Sequence, residues 1–133
     1  MNKTLRAKVM LIAENVRNWT EEKAFRTNYN PGDLCGWCAI SAAQLFRELR
    51  KEKINAELHY VSGHCFVVVD DYIVDVTATQ FSEFADKKIN IIHTKEAEQY
   101  WFYTAEKVFT HPTQLRQYQL EERWPRRQIA YAR

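Results

Sequence analysis

Three apolar runs, AELHYV (56–61), HCFVVV (64–69) and YIVDVTA (72–78), follow one another with only Ser62-Gly63 and Asp70-Asp71 between them. Each is short and rich in Val, Ile, Tyr or Phe, which predicts a strand rather than a helix. Two-residue connections join antiparallel neighbours, because a parallel pair needs a crossover of roughly a dozen residues. The middle of the chain is therefore expected to form an antiparallel meander. KINIIHT (88–94) reads as a fourth strand.

Helical patterns flank these runs. Residues 3–19 place Leu5, Val9, Ile12, Val16 and Trp19 at helical intervals with Lys, Arg and Glu between them, which predicts an amphipathic helix. TNYNPGD (27–33) holds Pro31 and Gly32 and reads as a loop. A second helix is expected over about residues 37–53. Its first half, CAISAAQLF, has no charge and suits burial on all sides; its second half ends in Arg47, Arg50, Lys51 and Lys53, which suit the negative end of a helix dipole. Residues 95–109 show no clear period. HPTQLRQYQLEERW (111–124) predicts a last helix, opened by Pro112 and stopped by Pro125. The fold class expected is α+β, with the meander packed against a central helix in one domain spanning 1–133. Only three Gly and three Pro among 133 residues leave little room for linkers.

Composition narrows the function classes. A net charge of +2 is too small to point to nucleic acid, and Arg123, Arg126, Arg127 and Arg133 read as a solvated basic tail. The apolar run at 9–13 is too short for a signal-peptide core, and no segment approaches the ~20 apolar residues of a membrane span. Three cysteines, an odd number, do not make a disulfide framework. A cytoplasmic protein with no membrane or nucleic-acid partner is expected. Nothing in the pattern fixes an oligomeric state.

The chemistry centres on LCGWCAISAAQLF (34–46), where Cys35 and Cys38 stand at the mouth of the second helix. A thioredoxin-like redox pair would follow a buried strand, and NYNPGDL is a loop sequence. Zinc could draw on Cys35, Cys38, His64 and Cys65, but adjacent residues of a strand point to opposite faces. A nucleophile suits the position better. A helix N-terminus stabilises a thiolate and lowers its pKa, and its free N–H groups can hold an oxyanion. Such a site needs a histidine and a group to orient it. His64 follows Gly63 at the start of a strand. A tight turn at Asp70-Asp71 sets Val69 opposite Tyr72 and, continuing, Phe66 opposite Asp75. His64 and Asp75 then become diagonal neighbours on one face, while Cys65, Val67, Val69, Tyr72, Val74 and Val76 share the other. Taken alone, Asp75 reads as an exposed position on a half-exposed strand face; as part of the site, its replacement by Asn is expected to cut turnover by orders of magnitude and leave the melting temperature almost unmoved.

Gly36-Trp37-Cys38 opening a helix, LFRELRKEKINAEL at its end, Gly63-His64, and YIVDVTATQF together resemble the transglutaminase-like group of papain-like cysteine enzymes. The resemblance spans roughly residues 34–81. It implies a papain-like, transglutaminase-like core with Cys38 as nucleophile, His64 as base and Asp75 as its orienting group. It further implies a protein or peptide substrate, no cofactor and no metal. Papain has a glutamine six residues before its cysteine, where this chain has Gly32, so an oxyanion donor is sought among Asn28, Asn30 and Trp37. Trp37, Asn30 and Gln80 are the candidate oxyanion or substrate contacts. Cys35 is left as a packing residue, a lesser nucleophile or a redox brake on Cys38. The activity expected is acyl transfer on an amide, as a protease or glutamine deamidase ahead of a crosslinking enzyme. The alternatives are a non-catalytic binding module that keeps the fold, or a thiol-redox or zinc-binding protein.

Overall fold

The hydrophobic stripe that opens the chain folds as α1 (Lys3–Arg26), seven residues longer than its apolar spacing predicts. The buried face continues past Trp19 through Thr20 and Ala24, and it contains Arg17, so a polar and a small residue carry the stripe where hydropathy fades. The computed structural model describes residues 1–26, 36–122, 124 and 129–130. Gly36 adopts φ +85°, and Trp37 then caps α2 (Cys38–Lys51). This helix is buried along Cys38, Ala39, Ser41, Ala42, Ala43, Leu45, Phe46 and Leu49, as its uncharged first half requires. It stops where Lys53 turns to φ 59° and the Ile54 N–H bonds the Leu49 carbonyl at 3.0 Å. Deep in the α1–α2 contact, the Thr20 hydroxyl donates to the Val16 carbonyl at 2.9 Å and meets the Ser41 hydroxyl at 2.9 Å.

The meander forms as the two-residue breaks demand: β1 (Glu57–Val61), β2 (His64–Val69), β3 (Tyr72–Asp75) and β4 (Asn90–His93) pair in sequence, all antiparallel. Val69 faces Tyr72 and Val67 faces Val74, which is the predicted register. Asp70 takes φ 54° in the turn, a conformation Asp tolerates. The third strand is three residues shorter than the run 72–78. Its chain turns at Thr77, whose N–H bonds the Asp75 carboxylate at 2.9 Å, and enters a 3-10 turn at Ala78–Gln80. The region without a period resolves into α3 (Thr94–Ala97), a 3-10 turn at Trp101–Tyr103 and β5 (Lys107–Phe109). The last of these adds to the free edge of β1, giving the order β4-β3-β2-β1-β5. Helix α4 (Pro112–Glu121) follows, with the His111 ring accepting from the Thr113 N–H at 3.0 Å as its cap. Among the described residues the fold is thus α+β, a five-stranded antiparallel sheet with four helices, as the fold class expected at that level.

Both faces of this sheet are covered. On one, Cys65, Val67, Val69, Val74 and Val76 pack against α1 and α2. On the other, Phe66, Val68 and Ile73 pack against Ala78, Phe84, Ala97, Phe102 and Tyr103. All six residues of β2 are consequently buried. The expectation that Asp75 sits on a half-exposed face is corrected here: its relative exposure is 1%. The aromatic run Tyr100 to Tyr103, unassigned from sequence, is the cover. No helix among the described residues is long and apolar enough to cross a membrane.

Candidate active site

Cys38 is the first residue of α2, and its N-cap, Trp37, makes no side-chain capping bond. The N–H groups of a helix's first turn have no partner within the helix, and Cys38 stands at that end of α2. Across from it, the two-residue break at Ser62-Gly63, with Gly63 at φ +91°, places His64 at the first position of β2. His64 and Cys65 are the two residues whose influence bears on the Cys38 thiol.

The His64 ring is wholly buried, caged by Phe81 at 4.8 Å, Phe66 at 5.8 Å, Tyr103 at 5.9 Å and Phe102 at 6.3 Å between ring centroids. Its Nε2 lies 2.7 Å from Asp75 Oδ2, the diagonal contact that the strand register predicts. The other ring nitrogen, Nδ1, lies 2.7 Å from Gln80 Nε2. The Gln80 carboxamide suits either state of the ring. Its N–H donates to a neutral Nδ1, and a half-turn presents Oε1 to accept from a charged one.

Asp75 is saturated with donors. Oδ1 accepts from the Thr77 N–H at 2.9 Å and the Thr77 hydroxyl at 3.3 Å. Oδ2 accepts from His64 and from the Tyr103 hydroxyl, also at 2.7 Å, and that hydroxyl accepts in turn from Asn90 Nδ2 at 3.0 Å. Buried Arg17 braces the segment beyond the carboxylate, donating from Nη1 to the Val76 carbonyl and to the Thr79 hydroxyl, each at 3.0 Å. It thereby fixes the turn that carries Gln80.

These contacts set the charges. Burial opposes a charged His64, but the Asp75 charge and hydrogen bond override it, with Cys38 adding to them, and the ring is held up to about 10. Hydrogen bonding from Cys65 is the largest influence on Cys38. Together with the contact and charge of His64 it outweighs burial and holds the thiol well below its ordinary range. Cys65 moves the other way, well above the ordinary thiol range, because its own proton is engaged by Cys38 and because it is buried. Burial would raise Asp75, and the His64 charge followed by its hydrogen-bond donors reverses that, leaving it below the usual carboxylate value. Tyr103 is raised, by burial and then by the Asp75 charge, and stays a neutral donor. The directions of these shifts favour a thiolate on Cys38 and an imidazolium on His64, with the Asp75 carboxylate beside the ring.

Of the predicted site residues, Cys38, His64 and Asp75 come together. Trp37 adjoins them as the helix cap, while Gln80 sits on the His64 ring rather than on Cys38. Asn28, Asn30 and Cys35 lie outside the described residues. Sequence reasoning missed Cys65, Tyr103 and Asn90. Strand alternation put Cys65 on the face opposite His64, which is correct, and on that face Cys65 shares a buried cluster with Cys38, the residue that begins α2. Among the described residues no three His, Cys, Asp or Glu side chains group in a way that could hold a metal ion. No family model, curated protein or solved structure matches the chain.

Proposed function

We propose that this chain is a cysteine-dependent acyl-transfer enzyme that acts on protein or peptide amides, built on a papain-like, transglutaminase-like core. The observation that carries it is the buried 2.7 Å hydrogen bond from His64 to Asp75, with Cys38 at the start of α2 held low under the influence of His64 and the imidazole held high. In this mechanism the Cys38 thiolate attacks the amide carbonyl carbon, and the first-turn N–H groups of α2 receive the oxyanion. Trp37 and Asn30 remain the candidate further contacts there. The His64 Nδ1 proton passes to the leaving nitrogen, the C–N bond breaks, and a thioester remains on Cys38. Water then attacks the thioester, Nδ1 takes its proton, the C–S bond breaks and the thiolate returns. Asp75 keeps Nε2 protonated throughout, so that Nδ1 is the nitrogen that exchanges protons. Gln80 yields Nδ1 to the leaving group during the first step and recovers it afterwards.

A peptide amide in this site gives proteolysis, a glutamine carboxamide gives deamidation, and a lysine amine in place of water gives a crosslink. Hydrolysis is the outcome proposed. No cofactor or metal is required by these steps. Two buried free thiols, Cys38 and Cys65, suit a reducing, cytoplasmic setting. A second reading, a non-catalytic protein-binding module, is favoured by one observation: Cys38 is only 5% exposed and His64 0%. Incubation with a mixture of glutamine-rich proteins, followed by mass spectrometry, separates these. Catalysis gives new chain ends or gains of about 1 Da per deamidated glutamine, both absent with Cys38→Ala. The same products at the same rate from Cys38→Ala, or none from either protein across a broad substrate mixture, would overturn the assignment.

A further inference from the structure

Gln80 stands on the ring nitrogen that acyl transfer has to use. Its carboxamide nitrogen lies 2.7 Å from His64 Nδ1, while Asp75 holds the opposite ring nitrogen at the same distance. We propose that Gln80 is an autoinhibitory plug, a substrate mimic whose carboxamide takes the place of the incoming amide and keeps the resting site closed until it swings out. This rests on the acyl-transfer reading above, in which Nδ1 exchanges the proton. Burial points the same way. Of the groups set against the ring, Asp75, Phe66, Phe102 and Tyr103 are buried, and only Gln80 and Phe81 reach solvent. The ring itself is wholly covered. Among the described residues, these two side chains therefore stand between solvent and His64.

The fold fixes the backbone of this plug and leaves its side chain free to turn. Gln80 ends the 3-10 turn Ala78–Gln80, and a second such turn follows at Ser82–Phe84. Before Gln80, Arg17 Nη1 holds the Val76 carbonyl and the Thr79 hydroxyl, each at 3.0 Å. After it, the Phe81 ring stacks on Phe102 at 3.8 Å between centroids, and Phe84 is buried. With both flanks anchored, the carboxamide can leave Nδ1 by rotation about its own side-chain bonds, with no change of backbone. Among the described residues, the bond to His64 is the one hydrogen bond that the Gln80 side chain makes. A bond of this kind favours the closed position about tenfold. The plug and the substrate also carry the same group. An amide that enters replaces one carboxamide contact at Nδ1 with another, so Gln80 competes with substrate and does not seal the site.

The test compares the full chain with Gln80→Ala and with Gln80→Asn, which keeps the amide but is one methylene too short to hold Nδ1. Each protein is treated at neutral pH with iodoacetamide and, separately, with N-phenylmaleimide. The peptide carrying Cys38 is followed by mass spectrometry. Iodoacetamide is small, whereas the maleimide must bring a rigid imide beside His64 as it meets the thiol. A change in thiol ionisation alters both rates alike, so their ratio reads the plug. Both substitutions should raise the maleimide-to-iodoacetamide ratio at Cys38 about tenfold. Both should also speed product formation in the glutamine-rich protein mixture. An unchanged ratio, with iodoacetamide still reacting fast, would overturn the plug and leave the nucleophile standing. Slower product formation by both variants would do the same, since Gln80 would then be a contact that the substrate needs. A Cys38 that resists both reagents in all three proteins would overturn both readings.

Discussion

Asp75→Asn changes one charge and almost no volume. On a half-exposed strand it would be harmless, but Asp75 is buried and both of its oxygens accept pairs of donors, Thr77 on one side and His64 with Tyr103 on the other. An asparagine has one oxygen for these two sets. Either orientation turns its NH2 toward groups that are themselves donors, and no charge remains to hold the imidazolium. Breaking a buried ion pair from one side costs about 3–5 kcal/mol, against a total stability of about 5–15 kcal/mol for a domain. The melting temperature, followed by circular dichroism, should therefore fall on the order of 10 °C. The site fails with it. His64 becomes neutral, and Cys38 drifts back toward an ordinary thiol that is only about 3% ionised at neutral pH. Greater intrinsic nucleophilicity of the more basic thiolate offsets part of this, so alkylation of Cys38 should slow about tenfold. An Asn variant that melts and alkylates like the parent would refute the reasoning, since it would mean that the carboxylate neither stabilises the ring nor sets the thiol.

Cys38→Ala removes one of the groups that hold His64 high, so the ring pKa should drop below about 10; a 15N NMR titration of the ring reads it, and an unchanged value would leave Asp75 as its sole support. Tyr103→Phe deletes one donor to Asp75 and strands the Asn90 amide, so chemical denaturation should show a loss of about 1–3 kcal/mol; a neutral effect would mean that the Asn90–Tyr103–Asp75 relay is slack. Lys53→Gly relieves a left-handed backbone at the end of α2, and should gain about 1 kcal/mol in the same assay; a loss would show the Lys53 side chain to be stabilising.

Much of the sheet was legible because spacing alone dictates it. Two-residue breaks fix antiparallel order, and the Asp70-Asp71 turn fixes the register that joins His64 to Asp75. Cys38 was legible because an uncharged helix begins just after Gly36. The extent of α1 was not, since Arg17, Thr20 and Ala24 carry its buried face without apolar bulk. Nor was the early end of β3, which is set by a side-chain bond from Asp75 to the Thr77 N–H rather than by strand propensity. Tyr103 and Asn90 left no local signal at all. Their bonds to the site close loops of 28 and 13 residues, and only tertiary packing brings the aromatic segment over the second face. Cys65 was placed on the apolar face shared with Val67, Val69 and Val74, where it is buried, and alternation, which says only which face a side chain takes, gave no sign of its influence on Cys38.

The central claim is that Cys38 is a thiolate paired with a charged His64 in the resting protein. It is tested most directly by the rate of Cys38 alkylation with iodoacetamide as a function of pH, read from the mass of the peptide carrying it. The sign follows from the two shifts: Cys38 is lowered, so the reactive form persists through neutral pH and is lost only in acid; His64 is held to about 10, so the imidazolium partner departs only in strong alkali. The account predicts a rate already on its plateau at neutral pH, with a midpoint well on the acid side of the ordinary thiol value of about 8.5 and a second inflection near the alkaline loss of the His64 proton. A single midpoint at or above about 8.5 would contradict it.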